Sequence, residues 1–539
     1  MITRDGLHHS PKGKDEIDKM NKTAKHTVIL MVTTVLAKVL GFAREIVLAY
    51  RYGAGSVSDA YIIAYSIPTV IFAGLGTAIL TSYIPMYTQM HEQSPRKLRR
   101  FNNNVTTIVL LLSAAILLVF WLFDDSIVQL FAVGFTGETL DFAVRMARVM
   151  MISVLFIGVS NILQGYLQIH DSFAVVGMVS VPQNIFVIAS ILLTATGDSL
   201  VLGVGLVLGY AASMMMLYLS SKKKGFSYRP YLSLRDPNIR QMVILVLPIF
   251  LGRTVMQINT MIDRTIASTL PTGSVSALNY ASRIFGFVIS VFVLSVATAI
   301  FPQLSIQTAR NSMKRFKATI RSSIGIVTLL VLPISAGAIV LAEPIVKLLF
   351  GRGEFDEAAI RLTAECLSFY CIGLIFYSLK DILNNVFYAM QDTRTPTVNS
   401  VINVALNIAL NLALVGPMAH RGLALATSLS SGITLAMLLW CLHQKVGPMG
   451  LRALSKSLLK MLAGTGLMTA VVVPLWAVLG PETVTPQSGV LVPLVVSVGV
   501  GAVVYVVALI LMRTREMGEL IVGIANALSR KKAPSQPAS

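Results

Sequence analysis

Long apolar runs separated by short polar or Gly/Pro-containing breaks dominate the chain. The runs fall at about 28–50, 60–88, 105–123, 141–168, 174–194, 199–219, 241–267, 275–303, 322–346, 362–389, 397–416, 422–442, 457–479 and 489–512. Most match the roughly 20 residues that a helix needs to cross a bilayer, and a single segment can only span as a helix, because lipid offers its backbone no hydrogen-bond partner. The pattern predicts an all-α polytopic membrane protein with 14 transmembrane helices. An even number of spans places both termini on one side.

Composition agrees. Of 539 residues, 55% are hydrophobic and 13% charged, where a soluble domain carries about 25% charged residues. The net charge of +19 has the sign expected of a nucleic-acid binder, so its distribution decides the reading. On the side of the termini lie 31 Lys/Arg, including those of 1–26, Arg96–Arg100, Lys222–Arg240 and Arg310–Arg321; the opposite side holds five. That asymmetry predicts cytoplasmic termini and attraction to anionic lipids of the inner leaflet, with no nucleic-acid partner.

Residues 1–26 mix six basic with four acidic residues and lack a signal-peptide pattern, so they read as a disordered cytosolic extension. In the tail, 513–539, Met517, Leu520, Ile521, Ile524 and Leu528 recur at helical spacing between basic ends, as an amphipathic helix on the cytoplasmic interface would require. The three cysteines show no CxxC spacing and read as small buried hydrophobes. No motif for hydrolysis, nucleotide binding or zinc-dependent chemistry is present, so the chain is not expected to be an enzyme.

The chain also repeats itself. Gly55-Ser56-Val57-Ser58 returns 218 residues later as Gly273-Ser274-Val275-Ser276, each followed by an apolar span ending at Pro85 or Pro302. Tyr166–Asp171 is echoed by Phe387–Asp392 at an offset of 221. Six spans separate the copies, so they share one orientation, as in carriers built from parallel repeats. The expected layout is 27–220 for spans 1–6, a basic cytoplasmic linker at 221–240, 241–443 for spans 7–12, and 444–512 for two appended helices.

Eight basic residues remain inside predicted spans: Lys38, Arg44, Arg145, Arg148, Arg253, Arg264, Arg283 and Lys380. Each would cost about 2.5–3.5 kcal/mol at the bilayer centre, so each should face protein or water. Arg145, Arg148 and Arg264 lie near span ends and can snorkel. Lys38 and Arg44 lie deep in span 1, Arg283 deep in span 8, and Arg253 follows Pro248 and Gly252, where a broken helix would open backbone to a cavity. The acids set deep enough to meet them are fewer: Glu45, Asp59 at the start of span 2, Asp263, Glu365 and Asp381. Either acids and carbonyls satisfy every cation, or a cationic cavity receives an anion, for which guanidinium forks favour phosphate or carboxylate. Asn399, Asn403, Asn407 and Asn411 recur every four residues on span 11. They serve either interhelical packing or a Na⁺ site completed by Asp263 and Thr427.

Several of these segments resemble one family. Val39-Leu40-Gly41-Phe42-Ala43-Arg44-Glu45, Gly53-Ala54-Gly55 and Ser58-Asp59-Ala60 look like the first two helices of the MurJ (MviN) lipid II flippases. So do Gly273–Arg283, Phe350-Gly351-Arg352-Gly353-Glu354-Phe355 and Phe387–Pro396, in order from about Met20 to Arg513. The resemblance implies a flippase of the multidrug/oligosaccharidyl-lipid/polysaccharide superfamily in the bacterial cytoplasmic membrane, moving lipid II to the outer leaflet by alternating access. It implies that Lys38, Arg44 and Arg283 hold the pyrophosphate, with Glu45 and Asp59 as the accompanying acids and spans 13 and 14 as a groove for the prenyl tail. A Na⁺ site would fall on Asp263, Asn403, Asn407 and Thr427, so that Na⁺ or the membrane potential resets the cycle without any other cofactor. Cell-wall synthesis enzymes are the implied protein partners. The family's basic residue late in span 2 is missing from Thr69-Val70-Ile71-Phe72-Ala73-Gly74, so either Arg253 or Lys380 replaces it or the substrate differs. The rival readings are a flippase for another lipid-linked oligosaccharide and a cation-coupled multidrug exporter.

Overall fold

The computed structural model describes residues 11–91, 94–194, 200–310, 312–480 and 488–518, and all regular structure among them is helical. The chain divides into two compact units. Unit 1 comprises the chain up to Arg51 together with Ala60–Met261; unit 2 comprises Tyr52–Asp59 and the chain from Ile262 onward.

Unit 1 contains α1 (Pro11–Tyr52), α2 (Ser56–His91) beyond its first turn, α3 (Pro95–Leu122), α4 (Asp124–Phe131), α5 (Gly137–Met150), α6 (Ser153–Ile169), α7 (Phe173–Gly177), α8 (Ser180–Leu193), α9 (Val201–Lys223) and most of α10 (Pro237–Ala267). Unit 2 contains α11 (Ser274–Val288), a π-helical turn at Ile289–Val293, α12 (Leu294–Ala309), α13 (Met313–Val340), α14 (Ala342–Phe350), α15 (Glu357–Ile372) and α16 (Leu374–Ala389). It continues with α17 (Arg394–Met418), α18 (His420–Val446), α19 (Leu451–Leu479) and α20 (Ser488–Leu511). Among the described residues, 11 helices are long and apolar enough to cross a membrane, or 13 when α5–α6 and α15–α16, bent by 41° and 46°, each count as one span. The apolar stretch expected as the first span lies in α1, where Lys38, Arg44 and Glu45 interrupt it.

Several expectations change. Helix α1 begins at Pro11, so residues 11–26 are helical and continuous with the first span instead of disordered. Pro85 and Pro302 lie inside α2 and α12 instead of ending their spans. Pro248 does not break α10, which runs as one α-helix through Gly252 and Arg253. The interruption falls instead in span 8, where the π turn separates α11 from α12. Of the amphipathic tail, residues beyond 518 lie outside the described residues.

The repeat is visible element by element. Helices α3 and α13 both have 28 residues, short helices α4 and α14 follow them, and the bent pairs α5–α6 and α15–α16 come next. Each pair ends in the same way. Asp171 and Gln391 adopt positive φ (57° and 60°), and the next amide reaches back, Ser172 N to Leu167 O at 2.8 Å and Asp392 N to Phe387 O at 3.0 Å. This helix-ending turn satisfies carbonyls that the last helical turn leaves open. It pairs Asp171 with Gln391, so the structural offset here is one residue shorter than the sequence match between Asp171 and Asp392.

Each unit has its own apolar interior. In unit 1, Tyr83, Met86, Phe101, Ile162, Leu163 and Leu217 join α2, α3, α6 and α9. In unit 2, Leu304, Phe316, Leu383, Phe387 and Leu438 join α12, α13, α16 and α18, while Leu329, Met468, Leu494 and Tyr505 dock α19 and α20 on α13.

Asp392, in the turn before α17, accepts hydrogen bonds from Thr395 N at 3.0 Å, from Thr395 Oγ1 at 2.6 Å and from Lys445 Nζ. Partial desolvation pushes its carboxyl up, but these donors prevail and pull it down to about 2. A folded-state value below the ordinary carboxylate value of about 3.9 contributes stability above that value and loses it as pH falls through the folded one. Asp392→Asn should therefore lower the melting midpoint equally from pH 8 to about pH 5, with the gap to wild type closing between about pH 4 and 2. Detergent-phase thermal melts across that range check it.

Candidate functional site

Three of the segments singled out from the sequence meet at one place in unit 2. The segment Tyr52–Asp59 brings Asp59, on the first turn of α2, to the start of α11. Asp59 Oδ2 accepts from Gly273 N at 2.7 Å and Oδ1 from Ser276 N at 2.7 Å, with the Ser276 hydroxyl as a third donor. Asp59 is 2% exposed. Its acceptors satisfy amides that the start of a helix leaves open, and its charge is favoured by the positive ends of two helix dipoles. Gly53 O accepts from Tyr280 Oη at 3.1 Å, and Tyr280 packs with Phe350 and Phe355 at ring-centroid distances of 5.1 and 5.6 Å. Both glycines are required. Gly53 has φ +58° and a Cβ there would lie 2.3 Å from Glu354 O; Gly273 has φ +91° and a Cβ there would lie 2.5 Å from Ala54 O. Asp59, expected among the substrate-binding residues, is instead engaged by backbone and caps α11.

The intramembrane cations separate into groups. In unit 1, Arg44 is buried and bonds Glu45 at 2.7 Å, with its guanidinium 5.2 Å from the centre of the Tyr65 ring. The two residues are sequence neighbours, yet long side chains reach around the helix to pair. Lys38 is exposed, as is Arg253. A Cβ at Gly74 would lie 2.7 Å from Thr254 Oγ1, so α10 presses on α2 there, and Arg253 precedes the contact residue. Arg148 bonds Asp124, outside the span, through its Nε and terminal guanidinium nitrogen, as a snorkelling side chain would.

In unit 2, Arg264 donates to Asn279 Oδ1 at 3.4 Å, and Arg283 is half-buried one turn further along α11. Lys380 directs its hydrogen bonds to neutral groups, Asn403 Oδ1 at 3.2 Å and Ser431 Oγ at 3.5 Å, and lies 5.0 Å from the centre of the Tyr377 ring. Glu365 takes a two-pronged bond from Arg421 at 2.8 and 2.9 Å and another from His420. The acid counted inside the membrane is thus matched at the helix end.

The asparagine stripe divides. Asn411 Nδ2 donates to Asp263 Oδ1 at 2.6 Å and to Asn407 Oδ1 at 3.1 Å, and Asn407 Nδ2 to Thr427 Oγ1 at 3.3 Å. Asn403 instead accepts from Lys380 and from Thr434 Oγ1 at 3.0 Å. Of the expected cation ligands, Asp263, Asn407 and Thr427 form one network, Asn403 leaves it, and Asn411 enters it. One carboxylate with amide and hydroxyl oxygens is a hard, singly charged donor set suited to an alkali cation. An ion beside Asp263 would require the Asn411 amide to turn its oxygen towards it. Among the described residues no three His, Cys, Asp or Glu cluster as metal ligands. Asn411 was legible as part of the stripe, but the partner it takes depends on how α10 meets α17.

Residues 48–498 match the family model described as lipid II flippase MurJ. "Probable lipid II flippase MurJ" of Rickettsia prowazekii is 26% identical over 416 residues, covering 76% of this chain and 82% of that protein. The protein of the same name from Vibrio cholerae is 27% identical over 442 residues, covering 79% and 84%. Among solved structures, "Lipid II flippase MurJ, inward closed conformation" superimposes with a TM-score of 0.77 at 24% identity, covering 90% of this chain and 99% of that one. An inward-facing MATE family multidrug resistance transporter of the MOP superfamily follows the same fold at TM-score 0.65 and 15% identity, covering 78% and 98%.

The α11 clasp makes a graded prediction. Asp59→Ala removes acceptors from three donors and should destabilise by about 2 kcal/mol or more, whereas Ser276→Ala loses one hydroxyl bond and should cost about 1 kcal/mol. Gly53→Ala should resemble Asp59→Ala, because its Cβ meets backbone. Thermal melts of the three purified variants measure the order; equal midpoints for Asp59→Ala and Ser276→Ala would remove the capping role.

Proposed function

The chain belongs to the lipid II flippase MurJ family, and from that membership we propose that it translocates lipid II, the undecaprenyl-pyrophosphate-linked peptidoglycan precursor, from the inner to the outer leaflet by alternating access. The carrying observation is the family match over residues 48–498, which runs from the end of α1 into α20. Cytoplasmic termini belong to this reading, and the 31 to five distribution of basic residues supports them. It carries lipid across the membrane and performs no covalent chemistry on it.

The chemistry of the intramembrane residues supports the reading. A pyrophosphate needs planar, multiply donating cations. Arg44 spends one terminal nitrogen on Glu45 and rests on Tyr65, which lowers the cost of burying it and leaves further N–H groups for phosphate oxygens. Arg283 is the corresponding donor of unit 2, on a helix whose start Asp59 fixes. Lys38 adds charge from α1. Arg253 stands in for the basic residue absent late in span 2, because α10 presses on α2 at Gly74. Lys380, held by the oxygens of Asn403 and Ser431, is a further donor of unit 2. Cationic drugs fit such a set poorly.

Resetting the cycle falls to Na⁺ or the membrane potential. Asp263, Asn407, Asn411 and Thr427 would hold the ion, and the ion's contribution is charge compensation at Asp263.

A charge-assisted hydrogen bond is worth about 1.5–3 kcal/mol, or about 10- to 150-fold in rate. Arg44→Ala and Arg283→Ala should each lower translocation by at least that lower bound at unchanged expression, with Arg253→Lys milder than Arg253→Ala. The assay is leaflet-resolved detection of lipid II in cells depleted of the native protein. Flipping that persists in both arginine variants would remove the anion-cradle mechanism. In proteoliposomes, Asp263→Asn should abolish any dependence of transport on Na⁺.

A further inference from the structure

The segment joining α9 to α10 is expected to be a plain basic linker, but in unit 1 it is strapped along α3. Asn104 makes a reciprocal pair with the backbone of Ser233, Nδ2 to O and N to Oδ1, both at 2.8 Å. Asn103 Oδ1 accepts from Arg229 N at 3.2 Å, and Thr107 Oγ1 from Tyr231 N at 3.3 Å while also meeting Tyr228 Oη at 3.1 Å. At the start of the strap, Tyr166 Oη donates to Lys224 O at 2.9 Å and Phe226 is buried edge-on against the Tyr166 ring at 5.0 Å. Asparagine and threonine are poor helix formers because their side chains compete for backbone; here α3 uses that competition to fix the strap's backbone.

What the fixed backbone displays is specific. Lys222, Lys223, Lys224, Arg229 and Arg235 are exposed, with Arg99 and Arg100 on α3 one turn before Asn103 and Asn104. Between them stand Tyr231, Leu232 and Leu234, exposed by 37%, 50% and 70%. The strap's single acid, Asp236, is occupied by Asn238 N at 2.9 Å and Asn238 Nδ2 at 2.8 Å. Exposed leucines in a polar connection cost free energy in water, and basic residues interleaved with Tyr and Leu suit the headgroup zone of an anionic bilayer.

We propose that residues 222–235 form a preformed site for the headgroup phosphates of anionic phospholipids on the leaflet facing the chain termini, with Leu232 and Leu234 entering the acyl boundary. A loose linker of the same charge would satisfy topology equally well; the clamp from α3 is what makes this surface a site. It acts independently of lipid II transport.

The test uses the full chain in nanodiscs of phosphatidylcholine with increasing phosphatidylglycerol, carrying an environment-sensitive fluorophore on Leu232→Cys in a Cys441→Ser background. The emission should shift to the blue as phosphatidylglycerol rises. One basic residue near an anionic surface is worth about a fivefold change, so Arg229→Gln with Arg235→Gln should raise the required fraction by at least about fivefold. Leu234→Ser, at an exposed position outside the core, should reduce the size of the shift. Asn104→Ala and Thr107→Val keep every charge and should flatten the response, and either variant suffices if the other fails to fold. A charge-deleted protein that responds like wild type overturns the proposal. So do clamp variants that both respond like wild type, which would reduce the strap to diffuse charge, and so does full competition by inorganic phosphate, which would make it a soluble-anion pocket.

Discussion

A buried carboxylate spent entirely on backbone and hydroxyl donors ties the start of α2 to the start of α11 in unit 2. An isolated ionised carboxylate is costly to bury, and Asp59 offsets that cost with Gly273 N, Ser276 N and the Ser276 hydroxyl at the positive ends of two helices. Because no cation is consumed there, the capping of α11 draws nothing from the basic side chains of the membrane interior. The clasp also explains the glycines. Gly53 and Gly273 stand where one backbone passes so close to another that a Cβ would meet it, and Tyr280, packed with Phe350 and Phe355, donates to Gly53 O.

The same economy recurs along the helices. Glu365 is matched by Arg421 and His420, Asp124 by Arg148 and Glu45 by Arg44. Asp263 takes an amide instead, and Lys380 takes amide, hydroxyl and ring. Glu45, Asp124 and Glu365 are thus paired with basic side chains within hydrogen-bond distance, whereas Asp59, Asp263 and Lys380 have neutral hydrogen-bond partners.

Duplication supplies the scaffold and divergence supplies the chemistry. Helices α3 and α13 match in length, the bent pairs end in the same left-handed turn, and Gly55 and Gly273 both precede a helix that starts with Ser. Asp59 has Ala277 as its counterpart, so the cap runs in one direction only. The π turn at Ile289–Val293 has no counterpart in α2, which continues unbroken to His91. Such turns mark places where a helix departs from regular packing, frequently at functional sites.

Apolar periodicity and the internal echo were enough to place the helices and recognise the repeat, because burial of a spanning segment is dictated by its own length and composition. The eight intramembrane cations were equally legible, since each is an exception to that rule. Their partners were not. Adjacent residues Arg44 and Glu45 pair while Lys380 and Asp381 do not; Asn411 displaces Asn403 beside Asp263; and Asp59, read as part of the binding set, caps a helix 214 residues away. Hydrogen-bond partners depend on which helix faces meet and on side-chain reach of a few ångströms, and only the packed tertiary structure fixes those.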